Sequence, residues 1–145
     1  MRTIVCTAAL MFAVAAQAAD IGQIKSAAGT VHIERVGKLI AAPIGSTVKQ
    51  SDKLVTGADG TIGVTFLDNS LISAGPNSVL VLERYSYDPT TSAGRFDASL
   101  TKGTIAVVSG KMVKQKPESM RIRTPLTVMG VRGTEFVVRV DDSGS

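Results

Sequence analysis

Two strand patterns separated by a proline and a pair of glycines constrain this chain most. Residues 120–123 alternate between apolar and basic side chains, and Pro125 then removes a backbone donor, so the first strand should end before it. Gly130 and Gly133 suit a corner where the backbone takes positive φ or approaches another strand closely. Residues 135–140 resume the alternation, with Phe136, Val138 and Val140 on one face. The segment predicts strands joined by a tight corner, around which the rest of the chain is arranged.

The remainder of the chain repeats this kind of pattern. Short runs of strand-forming residues recur every eight to twelve residues, with Gly, Pro, Asn or Asp between them. After residue 18, no segment of ten or more residues has helical periodicity. The sequence therefore predicts an all-β domain of short antiparallel strands, arranged as a sandwich, a roll or an irregular solenoid-like stack.

Several segments carry more specific expectations. Asp68 and Asn69 follow the alternating run 61–67 and tolerate positive φ, so they predict a hairpin turn. Residues 78–83 are apolar on both faces, which predicts a central strand covered on both sides. Strands over residues 95–100 and 103–109 are expected to form a hairpin. Residues 85–94 and the basic stretch 110–117 are expected to be exposed loops.

The N-terminal residues are typical of an export signal. A positive start, an apolar run over residues 4–16 and small residues at Ala16 and Ala18 predict cleavage after Ala18. We therefore expect a signal peptide over residues 1–18, one β domain over residues 19–140 and a frayed tail over residues 141–145. The expected location is the periplasm or the cell exterior, with no membrane span in the mature chain. Cys6 would leave with the signal, so no disulfide is expected.

A set of short phrases carries a resemblance to a known family. The stretch from Thr124 and Pro125 through Gly130, Arg132, Gly133 and Thr134 to Phe136 resembles the end of the FecR domain, a cell-envelope module named after an iron-citrate transport regulator. Earlier phrases resemble landmarks of the same family, namely residues 22–29, Gly45 with Asp52, Val55-Thr56-Gly57, Asp68-Asn69-Ser70 and Gly75-Pro76-Asn77-Ser78. The resemblance covers roughly residues 21–140.

The resemblance implies a non-enzymatic module that acts by protein–protein contact in envelope signalling or scaffolding. FecR regulators carry a cytoplasmic sigma-factor-binding domain and a transmembrane helix ahead of this part, and a receptor-contacting region behind it. This sequence matches none of those, so direct regulation of a sigma factor is not expected.

Residues able to carry catalysis or hold a metal are scarce. The single histidine, His32, lies on the expected outer face of a strand, without a nucleophile elbow or a matched acid. Zinc patterns need more histidines or cysteines, and the aspartates at turns form no calcium loop. The chain has no Trp and few aromatic residues to form a sugar platform. Neither an enzymatic activity nor a cofactor is expected.

Five basic residues form the candidate partner-binding set: Lys111, Lys114, Lys116, Arg121 and Arg123. They are either a solvated surface or a contact for an acidic protein or an anionic envelope polysaccharide. Without Arg2, the 16 basic side chains become 15 against 12 acidic ones, a mild excess that does not indicate nucleic-acid binding. Arg132, between two glycines, is expected to bind backbone carbonyls at the corner, with anion recognition as the alternative.

We expect the exported protein to begin at Ala19, because the small residues at Ala16 and Ala18 occupy the positions that signal peptidase reads. Intact-mass spectrometry of the protein from the envelope fraction of its host checks this expectation. A mass that retains Met1 in that fraction would contradict it.

Overall fold

The computed structural model describes residues 19–126, 128–130 and 135–140 of the 145-residue chain. The predictions for the signal peptide (residues 1–18), for Arg132, Gly133 and Thr134, and for the tail (residues 141–145) lie outside the described residues.

Strands dominate the structure, which confirms the predicted all-β class with antiparallel pairing. One short helix, α1 (Lys111–Gln115), and a 3-10 turn (Pro117–Ser119) precede the last three strands. The strands are β1 (Asp20–Ala28), β2 (Val31–Arg35), β3 (Lys38–Ala41), β4 (Thr47–Lys49), β5 (Lys53–Thr56), β6 (Thr61–Phe66), β7 (Leu71–Ala74), β8 (Val79–Tyr87), β9 (Gly94–Val108), β10 (Met120–Arg123), β11 (Val128–Gly130) and β12 (Glu135–Val140).

The described strands belong to one open, curled sheet in the order β3-β2-β5-β8-β9-β7-β6-β1-β4, with β10 and β12 attached at β9 and β11 attached at β10. Every described pairing is antiparallel except that of β10 with β9, which follows the crossover through α1. Of the arrangements left open by the sequence, this curled sheet corresponds to the roll. Its concave side holds the core, to which β1, β2 and β4 contribute Ile24, Ile33 and Val48.

The strand β9 is the element on which the sheet is organised, in place of the segment 120–140 expected from the sequence. Its first half pairs with β8 and β10, and its second half pairs with β7 and β12. Because β8 and β10 share the same partner residues, they must lie on opposite sides of β9, and the same argument separates β7 from β12. Each neighbour of β9 therefore covers only part of its length.

A bend at Gly103 replaces the predicted hairpin. Phe96, Ala98 and Leu100 face the core in the first half of β9, whereas Ile105 and Val107 face it in the second half. The buried positions thus change from even to odd numbers, which requires one extra residue between the halves. The register with β8 places that residue between Leu100 and Lys102, and Gly103 follows it with a φ of +97°, a conformation that favours glycine. The alternation on both sides of the bend was predicted correctly, but the connection was wrong.

Three other expectations need correction. The strand β8 continues through residues expected to be loop and buries Tyr85, so only residues 88–93 connect it to β9. The prediction that β8 is covered on both faces is also wrong, because Val79 and Val81 on its outer face are only half-buried. The basic stretch 110–117 contains α1, which buries Met112 and Val113 against the domain. The hairpin between β6 and β7 is confirmed, with Asn69 at a φ of +67°.

An ion pair joins the two ends of the curled sheet. Arg35 at the end of β2 donates from Nε and Nη2 to the two carboxylate oxygens of Asp52, at 2.9 and 2.7 Å. The same guanidinium reaches the carbonyl oxygen of Thr47 in β4 at 3.4 Å. Asp52 is buried and also accepts the backbone N–H of Lys49 at 2.8 Å. The hydrogen bonds to the Asp52 carboxylate raise the pKa of Arg35, so the guanidinium stays charged over the physiological range.

We expect Gly103→Ala to destabilise the domain far more than Gly45→Ala. Both glycines have positive φ (+97° and +93°), which costs an alanine roughly 1–2 kcal/mol. A Cβ at Gly45 meets nothing within 4 Å, whereas one at Gly103 overlaps the backbone and side chain of Ser78. Overpacking of this kind costs about 1–3 kcal/mol more. Urea unfolding of the two variants measures the difference, and equal midpoints would contradict the assigned bend.

Candidate functional site

The five predicted basic residues are all exposed, but they lie in two places. Lys111 and Lys114 lie on the outer side of α1, opposite its buried Met112 and Val113. Arg121 and Arg123 lie on the outer face of β10, and Lys116 precedes the turn that leads into that strand. The structure therefore joins Lys116, Arg121 and Arg123 to the outer face of the sheet and leaves the two helix lysines apart from it.

Two further arginines, which were not among the predicted site residues, belong to this outer face. Arg84 of β8 and Arg121 of β10 both pair in register with Asp97 of the intervening β9. Arg95 lies two residues before Asp97 in β9 and donates from Nε to its carboxylate at 2.8 Å. We call the outer surface of β8, β9 and β10 around these residues the arginine face. Only the strand register, which the sequence does not reveal, brings the arginines of three separate segments together.

A shallow depression of about 210 Å³ lies at one end of the arginine face. Its lining combines three cationic side chains with one acidic residue and small groups: Arg95, Lys116, Arg121, Glu118, Gly94 and Ser119. Gly94 is required here because a Cβ would overlap the carbonyl oxygen of Ser86 and the Met112 side chain. The close approach of α1 to the start of β9 thus places Lys116 beside the arginines.

The cations of the arginine face differ in their partners. Arg95 is paired with Asp97, and Arg123 lies 3.5 Å from Glu83. Across the part of the chain that the structure describes, no carboxylate lies within ion-pair distance of Arg84, Lys116 or Arg121. Three exposed positive charges are therefore available to a binding partner.

The predicted motif residues that are described have structural positions. Thr124 and Pro125 follow directly after β10, which confirms that this strand ends before the proline. Gly130 pairs with Arg121 in the short hairpin of β10 and β11. Phe136 of β12 is half-buried against the core beside β9, and its neighbour Val138 is fully buried. No described contact connects these residues with a ligand-binding role.

A buried carboxylate that was predicted only as a turn residue connects several elements. Asp68 accepts hydrogen bonds from the hydroxyl and backbone N–H of Ser70, at 2.6 and 3.1 Å, and from the Tyr85 hydroxyl at 3.1 Å. Its second oxygen accepts the backbone N–H of Met112 at 3.4 Å. Burial, and then the charge of Asp68, raises the pKa of the Tyr85 hydroxyl, so this group remains a donor. The arrangement is satisfied within the fold and holds α1 against the sheet.

The described residues contain no cluster of metal ligands, and the single histidine lies apart from such groups. His32 is half-buried in β2, between Ala41 of β3 and Val55 of β5. Within residues 19–126, 128–130 and 135–140, no three His, Cys, Asp or Glu side chains converge as metal ligands would. In the same part of the chain, no helix has the length and apolar character needed to span a bilayer.

Comparison with known protein families identifies the relationship of this chain. A family model described as "FecR protein" matches residues 52–145, which is more than half of the chain. No curated protein and no solved structure matches the chain.

We expect simultaneous replacement of Lys111, Lys114 and Lys116 by Ser to leave the free energy of unfolding within about 0.5 kcal/mol, because all three side chains are exposed. If they serve an anionic polymer, retention on that polymer weakens and depends less on salt. Urea unfolding and elution from immobilised polygalacturonate measure both effects. A variant with Lys25, Lys38 and Lys102 changed to Ser is the control for charge, and equal retention of the two variants would remove the helix lysines as a polymer site.

Proposed function

The chain belongs to the FecR family, which is signalling-related and envelope-associated, and from this we propose that it is a non-enzymatic interaction module of the cell envelope. In this role it contacts another envelope protein in signalling or scaffolding. Export to the periplasm or beyond is part of the proposal, because the N-terminal pattern is typical of a cleaved signal.

The observation that carries the proposal is the family match over residues 52–145. The matched stretch contains β8, β9 and β10 in full, and therefore the whole arginine face. Exposed polar and charged residues fixed on rigid strands present a constant pattern of charge to a protein partner.

The second candidate function is binding of an anionic envelope polysaccharide through residues 111–123. The distribution of charge favours it, since residues 83–123 hold eight basic and four acidic side chains, so this segment alone has an excess of four, as large as that of the whole sequence. A surface with such an excess attracts polyanions through long-range electrostatics that salt screens.

Photo-cross-linking in the native envelope separates the two functions. A photoreactive residue replaces Ser86 on β8 or Ser73 on β7, since both serines are exposed on strands of the sheet. We expect a discrete protein adduct that mass spectrometry identifies. Adducts with carbohydrate alone, from either position, would favour the second function and contradict the first.

A further inference from the structure

We propose that the arginine face binds an acidic, extended segment of the partner protein, with Arg84, Arg121 and Lys116 as the contacting cations. This inference rests on the proposed function, because it assigns the binding surface of that function and the chemistry that the surface recognises.

The positions of the cations define a line across the sheet. Arg84 and Arg121 lie on strands to either side of β9, both in register with Asp97. Neighbouring strands are about 4.8 Å apart, so the two arginine Cα atoms are about 10 Å apart. Alternate side chains of an extended peptide are about 7 Å apart on one face, and the length of an arginine side chain spans the difference. An extended segment with acidic residues at alternate positions therefore suits this spacing.

The available hydrogen-bond donors favour carboxylates. Arg84 and Arg121 form no ion pair with any described residue, and a guanidinium binds a carboxylate through two parallel N–H donors. The adjoining depression of about 210 Å³ places Lys116 beside Arg121. Its volume is several times the roughly 30 Å³ that a water molecule occupies in the liquid, so it can admit the end of one acidic side chain.

The interleaved acidic residues favour a protein segment over a polyanion. Glu83, Asp97 and Glu118 lie among the cations of this face or line its depression. A polysaccharide with a charge on every unit would approach these carboxylates as well as the arginines, and like charges in contact are costly. A peptide can place its acidic residues against the arginines and neutral residues against the carboxylates.

Aromatic residues point to the same choice. All aromatic side chains of residues 19–126 and 135–140 are buried or half-buried, with Phe66, Tyr85 and Phe96 packed together in the core. A sugar would therefore find no exposed aromatic ring among these residues on which to stack.

Binding of a short synthetic peptide of alternating Glu and Thr tests the site directly. We expect Arg84→Thr with Arg121→Thr to weaken its binding about tenfold, which corresponds to about 1.4 kcal/mol. Lys25→Thr with Lys38→Thr removes the same charge from exposed positions elsewhere and should change the affinity less than about twofold. Thr suits strand positions, and thermal unfolding of each variant verifies the fold.

A variant that gains binding is needed as well, because a variant that misfolds also loses binding. Glu118→Gln removes the acidic charge from the depression, so it should strengthen binding of the acidic peptide. The site would be overturned if the arginine pair and the lysine pair of substitutions weakened peptide binding equally, or if Glu118→Gln did not strengthen it.

Tighter binding of polygalacturonate than of the peptide, with the same dependence on Arg84 and Arg121, would overturn it in favour of a polymer. A protein adduct from Ser73 alone would refute the site and leave the proposed function intact.

Discussion

The bend at Gly103 is the constraint on which the curled sheet depends. A strand of fifteen residues presents alternate side chains to opposite faces, so without an extra residue its second half would turn Ile105 and Val107 to solvent. The bend is held in place because the hydroxyl of Ser78 accepts the backbone N–H of Thr104 at 3.1 Å. The loop between β7 and β8 lies opposite the bend, because Ala74 pairs with Ile105 and Val79 pairs with Lys102. The strands that pair with the two halves of β9 are therefore separated at the position where β9 bends.

Hydrogen bonds of buried polar side chains connect the strands and turns of the curled sheet. Asp52 joins the two ends of the sheet through Arg35, and Asp68 connects α1 with Tyr85 of β8. Thr56 performs a similar task at the bend, since its hydroxyl donates to the carbonyl oxygen of Gly75 at 2.6 Å and accepts the N–H of Ser78 at 2.9 Å. Every described buried side-chain nitrogen or oxygen has a partner. The phrases through which the sequence resembles FecR domains therefore include the residues that form these corners.

Much of the fold could be predicted from the sequence, because alternation and turn residues act locally. The strands β6, β10 and β12 and the turn at Asp68 and Asn69 follow from such patterns. The sequence predicts a hairpin where the structure has the single bent strand β9. A hairpin and a bulged strand both change the alternation of apolar residues beside a glycine, and only pairing with the neighbouring strands distinguishes them. The helix α1 was missed because five residues are too few to show a helical period.

The candidate site was predictable only in part, for a related reason. The basic residues near the end of the chain were evident as a cluster, but Arg84 and Arg95 lie outside it in sequence. Their place beside Arg121 depends on the register of three strands and on a bulge between Leu82 and Arg84. The separation of Lys111 and Lys114 from the arginines likewise depends on α1, which turns these lysines away from the sheet.

The position of β9 in the chain has a consequence for how the domain folds. Four strands pair with it, two of them from before it and two from after it, so most of the ladder joins residues that are distant in sequence. Because a chain is synthesised from its N-terminus, the strands that carry Ile24, Ile33 and Leu80 are available before β9, with which the sheet is completed. Pairings of this kind carry a large loop-closure entropy and form slowly. Residues 20–87 therefore form an incomplete sheet until β9 is available, and the apolar surface left exposed in such an intermediate favours aggregation.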